Sequence, residues 1–530
     1  MAAGAAGGAA AGVVTPVRPE RRFVGAPLRR REDARLLRGA ARFVDDVGPA
    51  GALHAAIVRS PHAHAQIRSV DLSPALALPG VQAAYTGRDL TDLAEPAPMA
   101  WNPMDTELLR PQWWPLARER VACVGAPVAA VLADDPYLAE DAAECVEVAY
   151  EPLAAVVDPI AALEEGAPLV HPNLGSNRCF SWSLGGGDLE SAFAEAEVVI
   201  ERTIRNHRVA AVPIETRGVI AETTGDRITV WTSTQNPHLV RSYLARQLGT
   251  DELTLRVVTP DVGGGFGVKA NVYVEETLVA WCARRLCRPV KWIESRRENL
   301  ISSNHGRDQV DRVRMAATAG GKITALEIQV IADLGAYQLL FTPFIPTTTA
   351  AVASGCYAIP AVHTEVIGVF TNKFPTDAVR GAGRPEGTHI VEVMADQLAA
   401  ELGLDPLEVR RRNFIPAEAF PATVAIGVTY DSGNYDGALE RLLEHVDVAD
   451  FRRRQTELRE RGVHTGIGFS TYMEASGLAP SGATGPSGNG LELSFWESAA
   501  VRVGPDGSVR VQTGVCQNGQ GHETTFAQIV

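Results

Sequence analysis

Four glycines in five residues make Asp261–Lys269 (DVGGGFGVK) the most unusual stretch of the chain. Without a Cβ, such a backbone takes φ > 0 freely and approaches a ligand closely. Its exposed N–H groups can form an anion-binding nest. The segment is not a Walker A loop, because neither Ser nor Thr follows Lys269. It is not GxGxxG either, since Val268 stands where the third Gly belongs. A structural turn and a cofactor loop both remain open for it. Ala378–Pro385 (AVRGAGRP) has the same character, with Gly381 and Gly383 flanking Ala382 and with Arg380 and Arg384 bracketing them. Arginine donors beside open backbone suit an oxyanion or phosphate, and a turn leading into a helix is the plainer reading. Gln517–Thr524 (QNGQGHET) is a third Gly-rich polar loop, in which Gln520 offers amide donors and an acceptor between Gly519 and Gly521.

Other residue types lead less far. His522-Glu523 suggests a zinc protease, but HExxH needs His where Phe526 stands. Gln235, between a strand-like stretch and Asn236-Pro237, reads first as a turn or cap residue, and Glu215 reads as a surface carboxylate. His54, His62 and His64 read as polar turn residues rather than a metal site. No GxSxG occurs, since Gly485–Asn489 (GPSGN) lacks the final Gly. Seven cysteines (Cys123, Cys145, Cys179, Cys282, Cys287, Cys356 and Cys516) are widely spaced without CxxC, which excludes a disulfide framework and offers no iron–sulfur or zinc set. Cys282 and Cys287, on an expected helix, are read as core residues.

The elements that must carry these loops follow from local signals. Ala52–Val58 reads as a strand, and Val121–Ala133 as strand, Gly turn, strand. Pro136 starts a helix whose Ala139, Ala142, Ala143 and Val146 keep helical spacing. Gly185–Gly187 reads as a hinge loop. Strands are expected at Ile228–Ser233 and Leu253–Val258, with a helix at Pro237–Leu248 ended by Gly249. A helix at Glu275–Leu286 and a hairpin of Arg312–Thr318 with Ile323–Ile331 come next. Further helices are expected at Glu386–Leu402, Pro406–Asn413, Gly437–Val446 and Val448–Arg461, and a last hairpin at Val501–Val503 with Ser508–Thr513. Interleaving of this kind predicts an α+β (mixed α/β) fold.

The 530 residues suggest three or four domains at roughly 150 residues each. Lys and Arg number 49 against 63 Asp and Glu, and the net charge of −14 disfavours nucleic acid or an anionic membrane as the main partner. No apolar run reaches the ~18–20 residues that span a bilayer. The Ala/Gly stretch at 1–19 lacks the features of a secretory signal and is read as a disordered tail.

Taken in order, these segments resemble the large, molybdopterin-binding subunit of the xanthine dehydrogenase, aldehyde oxidase and aerobic carbon monoxide dehydrogenase family. RRREDARLLRGAARFVDDV, RSPHAHAQI, VGAPVAAVLADD and VAYEPLAAVVDP resemble its opening and its small α/β hammerhead domain. GGGFGVK, CRPVKWIESRREN, NHGRDQ, DLGAY, TNKFPTDAVRGAGRPEG, DPLEVRRRNF, YDSGNY and GQGHETTFAQI follow in the family's order, so the resemblance runs from about Arg21 to the last residue. It implies an N-terminal arm and hammerhead domain over 20–160, then a molybdopterin-binding domain in two parts, 161–425 and an incomplete 426–530. It implies molybdopterin cytosine dinucleotide as cofactor, with molybdenum held by the pterin dithiolene rather than by side chains. The implied reaction is hydroxylation of an aldehyde or N-heteroaromatic carbon with oxygen from water. Electrons would leave to a [2Fe–2S] small subunit and an FAD-binding medium subunit, in a cytoplasmic dimer of heterotrimers.

Carried over by motif, Gln235 would donate a hydrogen bond near the metal, with the backbone of Gly264, Gly265, Phe266 and Gly267 on the same side. Arg380, Gly381, Ala382 and Gly383 would line the substrate side, and Gly519, Gln520 and Gly521 would bond the cofactor. The departures narrow the substrate. Purine oxidisers of the family carry Glu where Ala270 stands and Phe where Ala382 stands, and the copper-containing carbon monoxide dehydrogenases carry Cys where Gly381 stands. The RGAGR loop resembles the form II carbon monoxide dehydrogenase-like members. The family's general-base glutamate would lie beyond Val530, so this chain is expected to be inactive by itself, as a truncated or split product. A non-catalytic scaffold of the same fold is the alternative. A nicotinamide dehydrogenase is excluded by the glycine spacing.

Overall fold

The computed structural model describes residues 23–98, 102, 106–474 and 497–530. The Ala/Gly stretch at 1–19 and the Gly485–Asn489 segment lie outside them. The chain forms two compact units, one of residues 42–496 and one pairing the segment up to Ala41 with residues 497–530.

Two large sheets dominate the described residues of the larger unit. The first has seven strands, in the order Leu255–Val258, Arg227–Thr232, Gly218–Thr224, Val290–Ile293, Leu53–Arg59, Pro127–Ala133 and Val81–Thr86. Its central seam pairs Leu53 with Val290 in parallel, while His54 faces Ala133 antiparallel on the other side. Pro127–Ala133 (PVAAVLA) is buried at every position, which explains its unbroken apolar run. The second sheet orders Arg178–Gly186, Ala361–Phe370, Ile323–Gly335, Gln309–Ala317 and Val198–Asn206. Within Gln309–Ala317 the period of two is plain, because Val313 and Met315 are buried while Arg312 and Arg314 are exposed. Together helix and strand give the α+β architecture expected from the sequence.

Local punctuation placed many boundaries. Pro237–Leu248 begins with Pro at its first turn and stops at Gly249, whose φ of 61° is left-handed. Pro406–Asn413 is capped by the Asp405 carboxylate, which accepts from Leu407 N and Glu408 N. The expected hinge at Gly185–Gly187 is corrected: Gly185 and Gly186 end a strand and pair with His363 and Val362. A Cβ at Gly186 would overlap the Ala425 carbonyl oxygen, so the glycine serves close backbone approach. Cys282 is buried as expected, but Cys287 is exposed, standing at φ 50° at the end of Val274–Leu286.

In the second sheet one carboxyl is buried among neutral partners. Asp311 accepts from Asn206 Nδ2 at 2.7 Å, and Asn206 Oδ1 meets His389 Nδ1 at 2.9 Å. Burial first, and then the nearby Glu386 charge, push the Asp311 carboxyl up to about 8. The fold therefore holds a proton that an unfolded Asp releases near pH ~4. Stability from this group is present below that value and falls as pH rises to about 8. Asp311→Asn keeps the shape and removes the titration. Thermal midpoints measured from pH 5 to 8 should decline in the wild type more steeply than in this variant.

In the smaller unit, residues 23–41 pack on the last helix, His522–Ile529. Thr524 Oγ1 donates to Glu32 Oε2 at 2.5 Å and accepts from Arg31 N at 2.8 Å, while Gln528 Nε2 donates to Phe23 O at 2.8 Å. The hairpin Ala499–Val503 with Val509–Thr513 completes it.

Candidate functional site

Gln235 sits in the short link between the strand Arg227–Thr232 and the helix Pro237–Leu248. The link is laced onto the Gly-rich loop: Gln235 N donates to Lys269 O at 2.7 Å, and Asn236 Nδ2 donates to Ala270 O at 2.7 Å. Gln235 Oε1 accepts from Gly267 N at 2.9 Å. Its Nε2 has no partner among the described residues and stays available to donate.

The Gly-rich loop joins the strand Leu255–Val258 to the helix Val274–Leu286. Gly264, Phe266 and Gly267 have φ of 96°, 57° and 100°. A Cβ at Gly265 would run into the Gln235 side chain, and one at Gly267 would overlap the Ala378 carbonyl oxygen. Both glycines are therefore required for packing, and Gly267 also for its left-handed backbone. Phe266 is a non-glycine residue in left-handed backbone, 42% exposed, and such strain costs about 1–3 kcal/mol and concentrates at functional sites.

The second Gly-rich loop meets the first. Arg380 N donates to Phe266 O at 2.9 Å, and the Arg380 guanidinium lies 6.0 Å from the centre of the Phe266 ring. Gly381, Ala382 and Gly383 take φ of 106°, 49° and 93° in succession, and the helix Arg384–Leu402 starts directly after them. A side chain at Gly381 would overlap the Pro385 ring, so the position has no room for one without a shift.

These two loops and Gln235 converge. The N–H groups of Gly264, Gly265, Phe266, Gly381 and Gly383 have no partner among the described residues. With Gln235 Nε2 they give these adjoining loops a set of unused donors, whose chemistry suits a large, oxygen-rich anionic group and offers no side-chain metal ligand. Among the described residues, no group of three His, Cys, Asp or Glu could hold a metal ion. In the smaller unit, Gly519 and Gly521 have φ of 99° and 83°, Gln520 is exposed, and its Oε1 accepts from Asn518 N.

Three contributors escaped the sequence reading. Glu215 is not a surface carboxylate: its Oε2 accepts from Lys269 Nζ at 2.7 Å, Gly263 N at 2.8 Å and Ser233 Oγ at 2.7 Å. Arg307 donates to Val379 O at 3.0 Å and Arg380 O at 2.8 Å, and Asn304 Nδ2 donates to Ala378 O at 3.1 Å. Three successive carbonyls of the second loop are thus held by one segment, the NHGRDQ stretch. That motif was visible in the sequence, but nothing local tied it to the loop.

Comparison with known proteins identifies the family. Residues 38–154 match the family model for the aldehyde oxidase and xanthine dehydrogenase a/b hammerhead domain, and residues 170–414 and 441–530 match two models for a molybdopterin cofactor-binding domain. The chain is 38% identical over 515 residues to the nicotine 6-hydroxylase large subunit of Paenarthrobacter nicotinovorans, covering 96% of this chain and 62% of that protein. It is 37% identical over 527 residues to the carbon monoxide dehydrogenase large chain of Hydrogenophaga pseudoflava, covering 94% and 64%. The crystal structure of quinoline 2-oxidoreductase from Pseudomonas putida 86 superposes with a TM-score of 0.91 at 38% identity, covering 96% of this chain and 65% of that one. The chain belongs to the xanthine dehydrogenase, aldehyde oxidase and carbon monoxide dehydrogenase family of molybdopterin-binding large subunits. It spans less than two thirds of the length of these relatives. No helix among the described residues is long and apolar enough to cross a membrane.

Proposed function

We propose that the chain is the molybdenum-cofactor portion of a cytoplasmic hydroxylase acting on an N-heteroaromatic or aldehyde carbon. The observation that carries this reading is the contact of Gln235, Gly263–Lys269 and Arg380–Gly383 with one another, each keeping unused donors among the described residues. When bound, molybdopterin cytosine dinucleotide supplies the two-electron chemistry that puts a water-derived oxygen on carbon. This chain's part is to bind, orient and exclude. Gln235 Nε2 and the Gly264–Phe266 amides would face the metal end of the cofactor; by the resemblance alone, Gly519, Gln520 and Gly521 of the smaller unit are further cofactor residues. Arg380 and Ala382 would border the substrate. A neutral aromatic ring fits there better than a purine, because neither Ala270 nor Ala382 supplies a carboxylate or a stacking ring. The names of the nicotine and quinoline relatives point to the same substrate class. The Gly381 backbone, closed to a side chain, argues against copper-dependent carbon monoxide chemistry. Electrons would pass to [2Fe–2S] and FAD subunits in a dimer of heterotrimers, which agrees with the scattered cysteines here.

The test is made on the full-length gene product purified with its co-expressed neighbours. Elemental analysis should find molybdenum, acid hydrolysis should release cytidine monophosphate, and quinoline or benzaldehyde should reduce an added dye, with labelled oxygen taken from water. Protein without molybdenum and without cytosine nucleotide removes the reading in favour of a non-catalytic scaffold.

A further inference from the structure

Two ends of the Gly-rich loop meet at a single carboxylate. Glu215 Oε2 accepts from Gly263 N at 2.8 Å, where the loop begins, and from Lys269 Nζ at 2.7 Å, where it ends. The same oxygen accepts from Ser233 Oγ at 2.7 Å, two residues before Gln235, and the other oxygen accepts from Val44 N at 3.3 Å. The backbone joins in, since Glu215 N donates to Gly263 O at 3.2 Å. The Lys269 side chain is fully buried and that of Glu215 is 14% exposed, so the pair lies beneath the loop rather than on the surface.

The arrangement is selective. Bonds are concentrated at the loop's ends and at Gly267, whereas the N–H groups of Gly264, Gly265 and Phe266 between them are left unused among the described residues. A loop of this glycine content has many conformations to lose, and closing its ends removes most of them before any ligand arrives. Because Ser233 and Gln235 share one short link, the carboxylate also fixes Gln235 against the loop it bonds. A surface role would need none of these contacts. A role in charge balance alone would need Lys269 and not Gly263 or Ser233.

We propose that Glu215 is a positioning residue that clamps the Gly263–Lys269 loop, with Gln235 in register, in the shape that receives the pyranopterin cofactor. The inference rests on the molybdenum-cofactor reading of that loop. Glu215 touches neither cofactor nor substrate and acts through the amides it holds. The reach of the side chain is essential to this role, because one oxygen must serve three donors on two chain segments. Aspartate keeps the charge and loses a methylene, so it distinguishes a clamp from a counter-ion.

The experiment compares wild type, Glu215→Gln and Glu215→Asp by amide hydrogen exchange on the 530-residue chain, and by molybdenum and cytosine nucleotide content on the full-length complex. Both variants should exchange Gly263 and Gly267 amides at least about tenfold faster than wild type, with the helix Val274–Leu286 unchanged. Cofactor content should fall at least about threefold in Glu215→Asp, in step with the lost protection. Wild-type protection at Gly263 and Gly267 in Glu215→Asp overturns the clamp, since charge balance alone then explains the pair. Glu215→Gln unfolded as a whole leaves the decision to the aspartate variant. A wild-type complex without molybdenum overturns the cofactor reading, and the exchange data decide the clamp independently.

Discussion

Replacing Arg217 with methionine will destabilise the larger unit by about 3–5 kcal/mol, the range for stripping one partner from a buried ion pair. Arg217 is 3% exposed and bonds Glu294 Oε1 from Nη2 at 2.6 Å, Glu275 Oε2 at 3.1 Å and Ser302 O at 2.9 Å. Its guanidinium also stacks 3.9 Å from the centre of the Tyr273 ring. Methionine restores much of the volume and none of the charge. Glu275 keeps Arg59 at 2.9 Å, but Glu294 retains only Asn299 among side-chain partners in the described residues. In the wild type, burial pushes the Glu275 carboxyl up, and the charges of Arg217 and Arg59 outweigh it and hold the group below its ordinary value. A depressed carboxylate contributes stability above its unfolded pKa and loses it as the pH falls through the folded value. In the variant Glu275 keeps only Arg59 against burial, so its depression shrinks and less stability is gained as pH rises through the carboxylate range. Thermal midpoints at pH 5 and pH 8 check both the loss and the weaker pH dependence. Equal midpoints for variant and wild type would remove the network from the account.

Gly267→Ala will separate the two Gly-rich loops. Gly267 stands at φ 100°, which L side chains rarely adopt, and its Cβ would overlap the Ala378 carbonyl oxygen. Strain of this kind costs about 1–3 kcal/mol before any clash is counted. The cheapest relief is to move the first loop off the second, which breaks the Arg380 N to Phe266 O bond and the Gly267 N to Gln235 Oε1 bond together. The Arg380 carbonyl remains tied to Arg307, so the movement falls on the Gly-rich loop. The expected result is at least about a tenfold loss of molybdenum from the full-length complex, with the thermal midpoint of the cofactor-free protein lowered only modestly. Gly403→Ala, at φ 66° with open space around it, is the control, since it carries backbone strain without a clash. Wild-type cofactor content in Gly267→Ala would show that the loops do not need this contact.

Local signals reached as far as local physics does. The ends of Pro237–Leu248 and Pro406–Asn413 were legible because a proline and a cap or a left-handed glycine mark each of them. The loops themselves were legible because glycine density is a backbone property. Their partners were not. Glu215 meets its donors 18, 48 and 54 residues away, and nothing in PIETRG distinguishes it from an exposed carboxylate. Arg307 reaches Val379 across 72 residues. Gly185–Gly187 was misread because glycine marks a hinge and a tight packing site with the same letter, and only the Ala425 carbonyl tells them apart.

The central seam of the seven-stranded sheet has a consequence for synthesis on the ribosome. Leu53–Arg59 emerges more than 200 residues before its parallel partner, Val290–Ile293. At about 5–20 residues per second the nascent chain must carry an unpaired strand edge for roughly 10–50 s until the partner leaves the exit tunnel. Pro127–Ala133 arrives sooner and covers the other edge of that strand, so the exposure is one-sided. Vectorial growth thus leaves one long interval of vulnerability to chaperone capture or mispairing, and synonymous codons that slow elongation between these two strands would lengthen it.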